Sequence, residues 1–347
     1  MNRKHFISSI VPLGVSISPV SQLIKKAGLK TGELEILSPK IPKYLQPGAT
    51  IGITCPSGYI SVEDIQPAIL KLQSWGFAST VGKTIGARDF SFAGDDELRT
   101  LDLQQMLDDD GIDAILFARG GYGAVRIIDR LDFTKFIKNP KWLVGFSDAT
   151  VFHAHLNRNF GIASIHSKMC NSFPEDWTKA EPSQIDSIDS IRKCLVGDQM
   201  EYTAIPNENN RTGKAEGILI GGNLSILQNL AGTQSDINTA GKILFVEEVE
   251  EYLYNVDRML WNLNRSGKLE KLQGLILGGF TKLKPDDPGE EFGRTIYEMV
   301  TRIVKDCAYP VCFDFPVGHQ KNNYALKCGM KHKLSVNLNG CILKETR

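Results

Sequence analysis

In WLVGFSDAT, residues 142–150, an apolar run delivers a serine, Ser147, and a helical-looking stretch follows at once. A hydroxyl held at a sharp strand-to-helix turn is the layout of a nucleophile elbow, in which a strained backbone aims Oγ outward. Such a turn needs small residues two positions to either side, and Gly145 and Ala149 supply them. Asp148 then stands at a helix N-terminus, where its backbone N–H can point at an oxyanion and the helix dipole favours negative charge. The same two residues, Ser147 and Asp148, would also serve as ordinary helix N-caps.

A second cluster, RGGYG at 119–123, also closes an apolar run. Its glycines suit a phosphate cradle or the presentation of backbone N–H groups near Gly121 to a developing oxyanion. Neither G-x-G-x-x-G nor a Walker lysine accompanies it, and a tight turn without any ligand fits the same residues. Arg119, directly before the loop, offers a planar bidentate donor for a substrate carboxylate, or a partner for a nearby aspartate.

A nucleophilic serine needs a base. His5 lies in the first residues; His153 and His155, two apart on a helix, cannot share a face and read as packing or solvent contacts. His332, between Lys331 and Lys333, reads as solvent-facing. His166 in IASIHSK and His319 in the Pro- and Gly-marked loop DFPVGHQKNN remain, and the residues themselves do not decide between them. An orienting acid is best sought at the end of KILFVEE, which delivers Glu247 and Glu248. Strand side chains alternate, so Ile243, Phe245 and Glu247 share one face and Leu244, Val246 and Glu248 the other; only one acid can face a histidine. Both acids could equally cap or solvate the strand end. No H-E-x-x-H and no Cys–His cluster occurs, so neither a metal nor a cofactor is expected.

Positioning these groups falls to alternating strands and helices. ATIGITCPSG (49–58) reads as a buried strand ending in a turn, VEDIQPAILKLQSWGF and DDELRTLDLQQMLDDDG (95–111) as helices, and DAILFAR (113–119) and KWLVGF (141–146) as strands. That alternation predicts a parallel sheet flanked by helices, with its site at the carboxyl ends of the strands. A polar stretch from about 170 to 214 reads as a connection between domains. A second unit then begins with GILIGGNLSIL and continues through the strands KILFVEE and LQGLILGGF, with ALKCG and HKLSVNL as short closing strands.

Composition limits what such a chain can do. With 347 residues, 42% hydrophobic and 23% charged, there is material for two folded domains. Forty basic residues balance forty acidic ones, which disfavours nucleic acid and an electrostatic membrane anchor. Seven scattered cysteines without a C-x-x-C pair read as free thiols, most of them core filler. The basic start followed by an uncharged stretch from Phe6 to Ile24 has the outline of an export signal. Five serines, Pro12, Pro19 and Gly14 make it weakly apolar and unsuited to a membrane span.

From about residue 48 onward the chain resembles the serine LD-carboxypeptidase family, the muramoyltetrapeptide carboxypeptidases. The resemblance is carried by ITCPSG, ARGGYGAVRIID, LVGFSDAT, GILIGGNLSIL, LFVEEVEEYLYNVDRML and FPVGHQKNN, in family order. It implies a Ser-His-Glu triad: the serine of G-F-S-D matches Ser147, the first acid of L-F-x-E-[ED] matches Glu247, and the histidine of P-x-G-H matches His319. The resemblance thus selects His319 over His166. It implies an α/β fold with a flavodoxin- or amidotransferase-like parallel-sheet domain bearing the elbow (46–170), a connection (171–214) and a smaller C-terminal α/β domain (215–347), with the site in the cleft between domains.

The implied reaction is release of the terminal D-alanine from murein tetrapeptides, with N–H groups near Gly121 and Asp148 as the oxyanion hole and Arg119 against the substrate. A neighbouring branch, the microcin C immunity proteins, hydrolyses peptidyl-nucleotide amides with the same triad, but its glycine loop tends to read G-G-x-N-S where this chain has GGYGA. An inactive murein-peptide binding protein is the non-enzyme alternative. The murein peptide is the expected partner, with no nucleic acid, no membrane span and room for a homodimer. Well-known members are cytoplasmic; the expected location here is the cytoplasm, or the periplasm and cell envelope if residues 1–20 of the 1–45 extension act as an export signal.

Overall fold

A computed structural model of the chain describes residues 39–346; the export reading of residues 1–20 lies outside the described residues. The first sheet is built from β1 (Thr50–Thr54), β2 (Ala78–Val81), β3 (Ala114–Phe117), β4 (Trp142–Gly145) and β5 (Ser164–His166). These run parallel in the order β2-β1-β3-β4-β5, the strand order of flavodoxin-like sheets. Every residue of AILF in β3 and WLVG in β4 is buried, as expected for strands covered on both faces.

The second sheet contains β6 (Glu201–Ala204), β7 (Gly213–Asn223), β8 (Lys242–Val249), β9 (Gly274–Thr281), β10 (Val311–Cys312), β12 (Lys331–Asn337) and β13 (Gly340–Glu345). Here β7 to β10 are parallel, whereas β12, β13 and β6 extend the sheet antiparallel from β7. The remaining strand, β11 (Leu326–Cys328), leaves this sequence neighbourhood and joins the first sheet antiparallel to β5, with Leu326 opposite His166.

Helix ends follow local chemistry. Asp95 accepts the Leu98 N–H at 2.8 Å to start the helix Asp96–Asp108, which buries Leu103, Met106 and Leu107. The helix Thr150–Phe160 stops at Gly161 in the left-handed region, φ +64°. That helix packs against both β5 and β7, and Thr150 Oγ1 accepts the Asn223 N–H at 3.1 Å, so it joins the two sheets. Along β8, Ile243 and Phe245 enter one core while Leu244 and Val246 enter another, the alternation expected from the pleat.

Between residues 171 and 214, polar composition hides the helix Pro182–Val196, which buries Ile188, Ile191, Cys194 and Leu195, and β6, which pairs with β13. All seven cysteines are free, and six are buried. Among the described residues, no helix is long and apolar enough to cross a membrane.

Candidate active site

Ser147 lies two residues beyond the end of β4 and takes φ +61°. A non-glycine residue held there stores on the order of 1–3 kcal/mol, the strain that marks a nucleophile elbow. The small flanking residues are required by space: a Cβ on Gly145 would lie 3.2 Å from Ala149 Cβ and 2.9 Å from the Phe117 ring. Neither Ser147 nor Asp148 caps the following helix through its side chain, so the plain N-cap reading does not describe this turn.

Asp148 instead ties three loops together. Its buried Oδ2 accepts Ser57 Oγ–H at 2.5 Å, from the turn after β1, and the Ala124 N–H at 2.8 Å, from the loop after β3. Burial raises its carboxyl above the usual range, against which the bonds from Ser57 and Ala124 pull down. The glycine loop abuts the serine: a Cβ on Gly120 would lie 3.0 Å from Ser147 Cβ and 3.1 Å from Oγ. The Gly120 carbonyl is itself held by the Gly58 N–H at 2.9 Å.

On the second sheet, Glu247 is fully buried near the end of β8, and its Oε2 lies 2.6 Å from His319 Nδ1 and accepts the His319 backbone N–H at 3.2 Å. A carboxylate only accepts, so Nδ1 carries the proton and Nε2 is the nitrogen left for chemistry. The loop comes this close because residue 318 is glycine. With φ +101°, Gly318 has no side chain where a Cβ would lie 2.5 Å from Glu247 Cβ. Thr281 Oγ1 donates to the His319 carbonyl at 2.7 Å, and the Phe146 ring lies 4.8 Å, centroid to centroid, from the imidazole.

Glu248 points the other way. It accepts Asn223 Nδ2–H and the N–H groups of Ser225 and Val249 at 2.9, 2.7 and 2.9 Å, and burial raises its pKa. The adjacent acids therefore part as strand geometry requires, one to the histidine and one to the start of the helix Leu224–Asn229.

A pocket of about 890 Å³ brings Ser147, Gly121, Phe146 and His319 together, with Lys168 and Gln320 also in its wall. Arg119 is not brought there. Its Nη1 donates to the Tyr59 carbonyl at 2.7 Å, and it lines a separate depression of about 260 Å³ that shares only Asn171 and Phe173 with the main pocket. His166 is fully buried, edge-on to Phe245 with centroids 5.0 Å apart, and burial holds its pKa well below the ordinary value.

His153 and His155 are buried as packing residues, bonded to Ser164 and Ser235 through their Nδ1 atoms. His332, expected to face solvent, is buried at 2% exposure: it alternates with exposed Lys331 and Lys333 on β12, so the charges go out and the ring goes in. Sequence reasoning missed Ser57 and Lys168. Ser57 had a visible signal in the turn after β1; Lys168 had none. Among the described residues, no group of His, Cys, Asp and Glu is placed to hold a metal ion.

Residues 51–167 match the LD-carboxypeptidase N-terminal domain, and residues 216–334 the LD-carboxypeptidase C-terminal domain. The chain is 31% identical over 297 residues to the "Probable murein peptide carboxypeptidase" of Bacillus subtilis, across 84% of this chain and 90% of that one. The chain belongs to the LD-carboxypeptidase family. It is a hydrolase, a carboxypeptidase of the serine type. The crystal structure of muramoyltetrapeptide carboxypeptidase from Oxalobacter formigenes superposes with a TM-score of 0.76 at 30% identity, covering 86% of this chain and 99% of that one. The microcin C7 self-immunity protein MccF of Escherichia coli is 27% identical over 292 residues, across 75% of this chain and 82% of its own. The mixed α/β architecture of this LD-carboxypeptidase, with its parallel first sheet, is that of the family's solved members.

Proposed function

We propose that this LD-carboxypeptidase releases the terminal D-alanine of murein tetrapeptides, with Ser147 as nucleophile, His319 as base and Glu247 as the acid that orients it. The observation that carries the reading is the shared pocket: a serine strained at φ +61° and a histidine held at 2.6 Å by a buried carboxylate line one cavity. His319 Nε2 takes the proton from Ser147 Oγ as the oxygen attacks the carbonyl. The Glu247 carboxylate fixes the tautomer and stabilises the imidazolium. Backbone N–H groups of Gly121 and Asp148 hold the oxyanion. His319 then gives its proton to the departing D-alanine amine, and water hydrolyses the acyl-enzyme.

The murein substrate is supported by the activities for which the Bacillus and Oxalobacter relatives are named and by a formally neutral chain that offers nucleic acid no electrostatic footprint. Incubating the purified chain with a murein tetrapeptide should release D-alanine; no release while a peptidyl-adenylate analogue is cleaved would favour the immunity-type reading drawn from the MccF relative. Binding of the peptide with neither reaction would favour the inactive binding protein. Fractionating cells that carry a C-terminally tagged chain decides between cytoplasm and envelope, and sedimentation of the pure protein reads whether it dimerises.

A further inference from the structure

A carboxypeptidase needs a cation for the free terminal carboxylate of its substrate, and the pocket wall contains one in an unusual state. Four lysines line the pocket: Lys168, Lys179, Lys282 and Lys321. Three of them have carboxylate partners, Asp176, Glu250 and Glu181 respectively, and sit at the rim with side chains 73–84% exposed. Lys168 differs on both counts. It is only 8% exposed, and among the described residues its ammonium has no carboxylate within ion-pair distance.

Among the described residues its one hydrogen bond goes to the backbone carbonyl of Gln320, at 3.2 Å, the residue after His319. An ammonium has three donors, so two are left for another acceptor. Burying a charge with so little compensation is costly. The cost is visible in the amine itself, whose pKa burial alone draws down to about 8. A carboxylate entering the pocket would relieve it.

The geometry points to Lys168 as the residue that binds the C-terminal carboxylate of the D-residue to be released, making the enzyme an exopeptidase. This rests on the LD-carboxypeptidase reading above. Lys168 lies two residues beyond the end of β5, the neighbour of the elbow strand β4, and lines the same pocket as Ser147 and His319. It therefore opens on the cavity that holds the nucleophile and the base and is tied to the residue after His319, and a leaving amino acid's carboxylate must lie within one residue's reach of the attacked carbonyl. Arg119, the cation expected from sequence, opens on the separate depression and is tied to Tyr59.

The test compares a murein tetrapeptide ending in free D-alanine with the same peptide ending in D-alaninamide, for the unaltered enzyme, Lys168→Met and Lys168→Arg. The unaltered enzyme should prefer the acid. Lys168→Met should lower kcat/KM for the acid by about 100-fold, the size of a lost charge-assisted bond, mostly through KM, and leave the amide nearly unchanged. Lys168→Arg should recover part of the preference. Because Met removes a poorly compensated buried charge, the variant should keep the melting temperature of the parent.

If Lys168→Met lost acid and amide turnover in equal proportion, or kept the parent's acid-over-amide ratio, the carboxylate assignment would be overturned, and Lys168 would be left with the Gln320 carbonyl alone. D-alanine release by the unaltered enzyme would still stand in either case. If the unaltered enzyme released no D-alanine at all, the proposed reaction would fall and this assignment with it.

Discussion

The carboxyl ends of the two sheets solve the same problem by different means. At the end of β4 the reactive group is positioned by backbone: a left-handed serine, small neighbours and a glycine loop pressed against Oγ. Near the end of β8 it is positioned by side chains: a buried carboxylate grips an imidazole from a loop seventy-two residues further along the chain. The first is local chemistry and survives as a short motif. The second exists only once the sheet and the loop after β10 have met. A defect at the elbow should therefore act on the nucleophile itself, and a defect at the acid should act through the base.

The sharpest way to break the comparison is at the nucleophile. Ser147→Ala should lower kcat by several orders of magnitude, leaving roughly 10³–10⁴ over the uncatalysed rate from binding and the oxyanion hole. Its melting temperature should hold or rise, because alanine removes a hydroxyl that takes no part in capping the following helix. D-alanine release in the unaltered range would return Ser147 to a structural turn.

Next comes the acid. Glu247→Gln should cost on the order of 10⁴ in kcat by leaving the imidazole in the wrong tautomer, as in the serine-protease precedent. Glu248→Gln should retain most activity, since that carboxylate faces Asn223 and Ser225. Steady-state kinetics on both variants decide, and the reverse ranking would mean that the wrong acid has been paired with the base.

These two sites also show what the sequence could reveal. The elbow, the strand KILFVEE and the separation of its two acids were legible because each depends on neighbours two residues away. The residues alone left His166 and His319 undecided, since the choice is made by which ring reaches Glu247, a contact between distant segments. The same limit hid β11, whose three residues look like any short strand but pair with β5. It also hid the burial of His332, where two flanking lysines suggested water. Lys168 was invisible because nothing local distinguishes a buried lysine from an exposed one.

A smaller effect sharpens the backbone side. Gly120→Ala would place a methyl 3.1 Å from Ser147 Oγ, closer than such contacts usually come, without demanding a forbidden backbone angle. We expect about a tenfold loss in kcat, with KM and melting temperature little changed, because a displaced Oγ loses alignment and not binding. An unchanged kcat would mean that the glycine loop has room to yield.

The smallest effect concerns acid stability beneath the elbow. His153 bonds the Gly145 carbonyl through Nε2, and burial lowers its pKa from 6.5 to about 4. A depressed folded pKa means that the unfolded chain binds the proton first as pH falls. The stability it contributes is full above about pH 6.5 and is lost toward about pH 4. His332, held to about 4 for the same reason, adds to the slope. Melting temperature against pH should fall across that window, and His153→Gln should flatten part of the fall; a parallel curve would remove His153 as a contributor.

The central claim is that the two sheet ends operate as one catalytic unit, and a fluorophosphonate probe followed by peptide mapping reads it directly. The account predicts a single adduct on Ser147 in the unaltered protein, slowed by orders of magnitude in both His319→Ala and Glu247→Gln while both variants remain folded. An adduct on another residue, or labelling of Ser147 at the same rate in all three proteins, would contradict it.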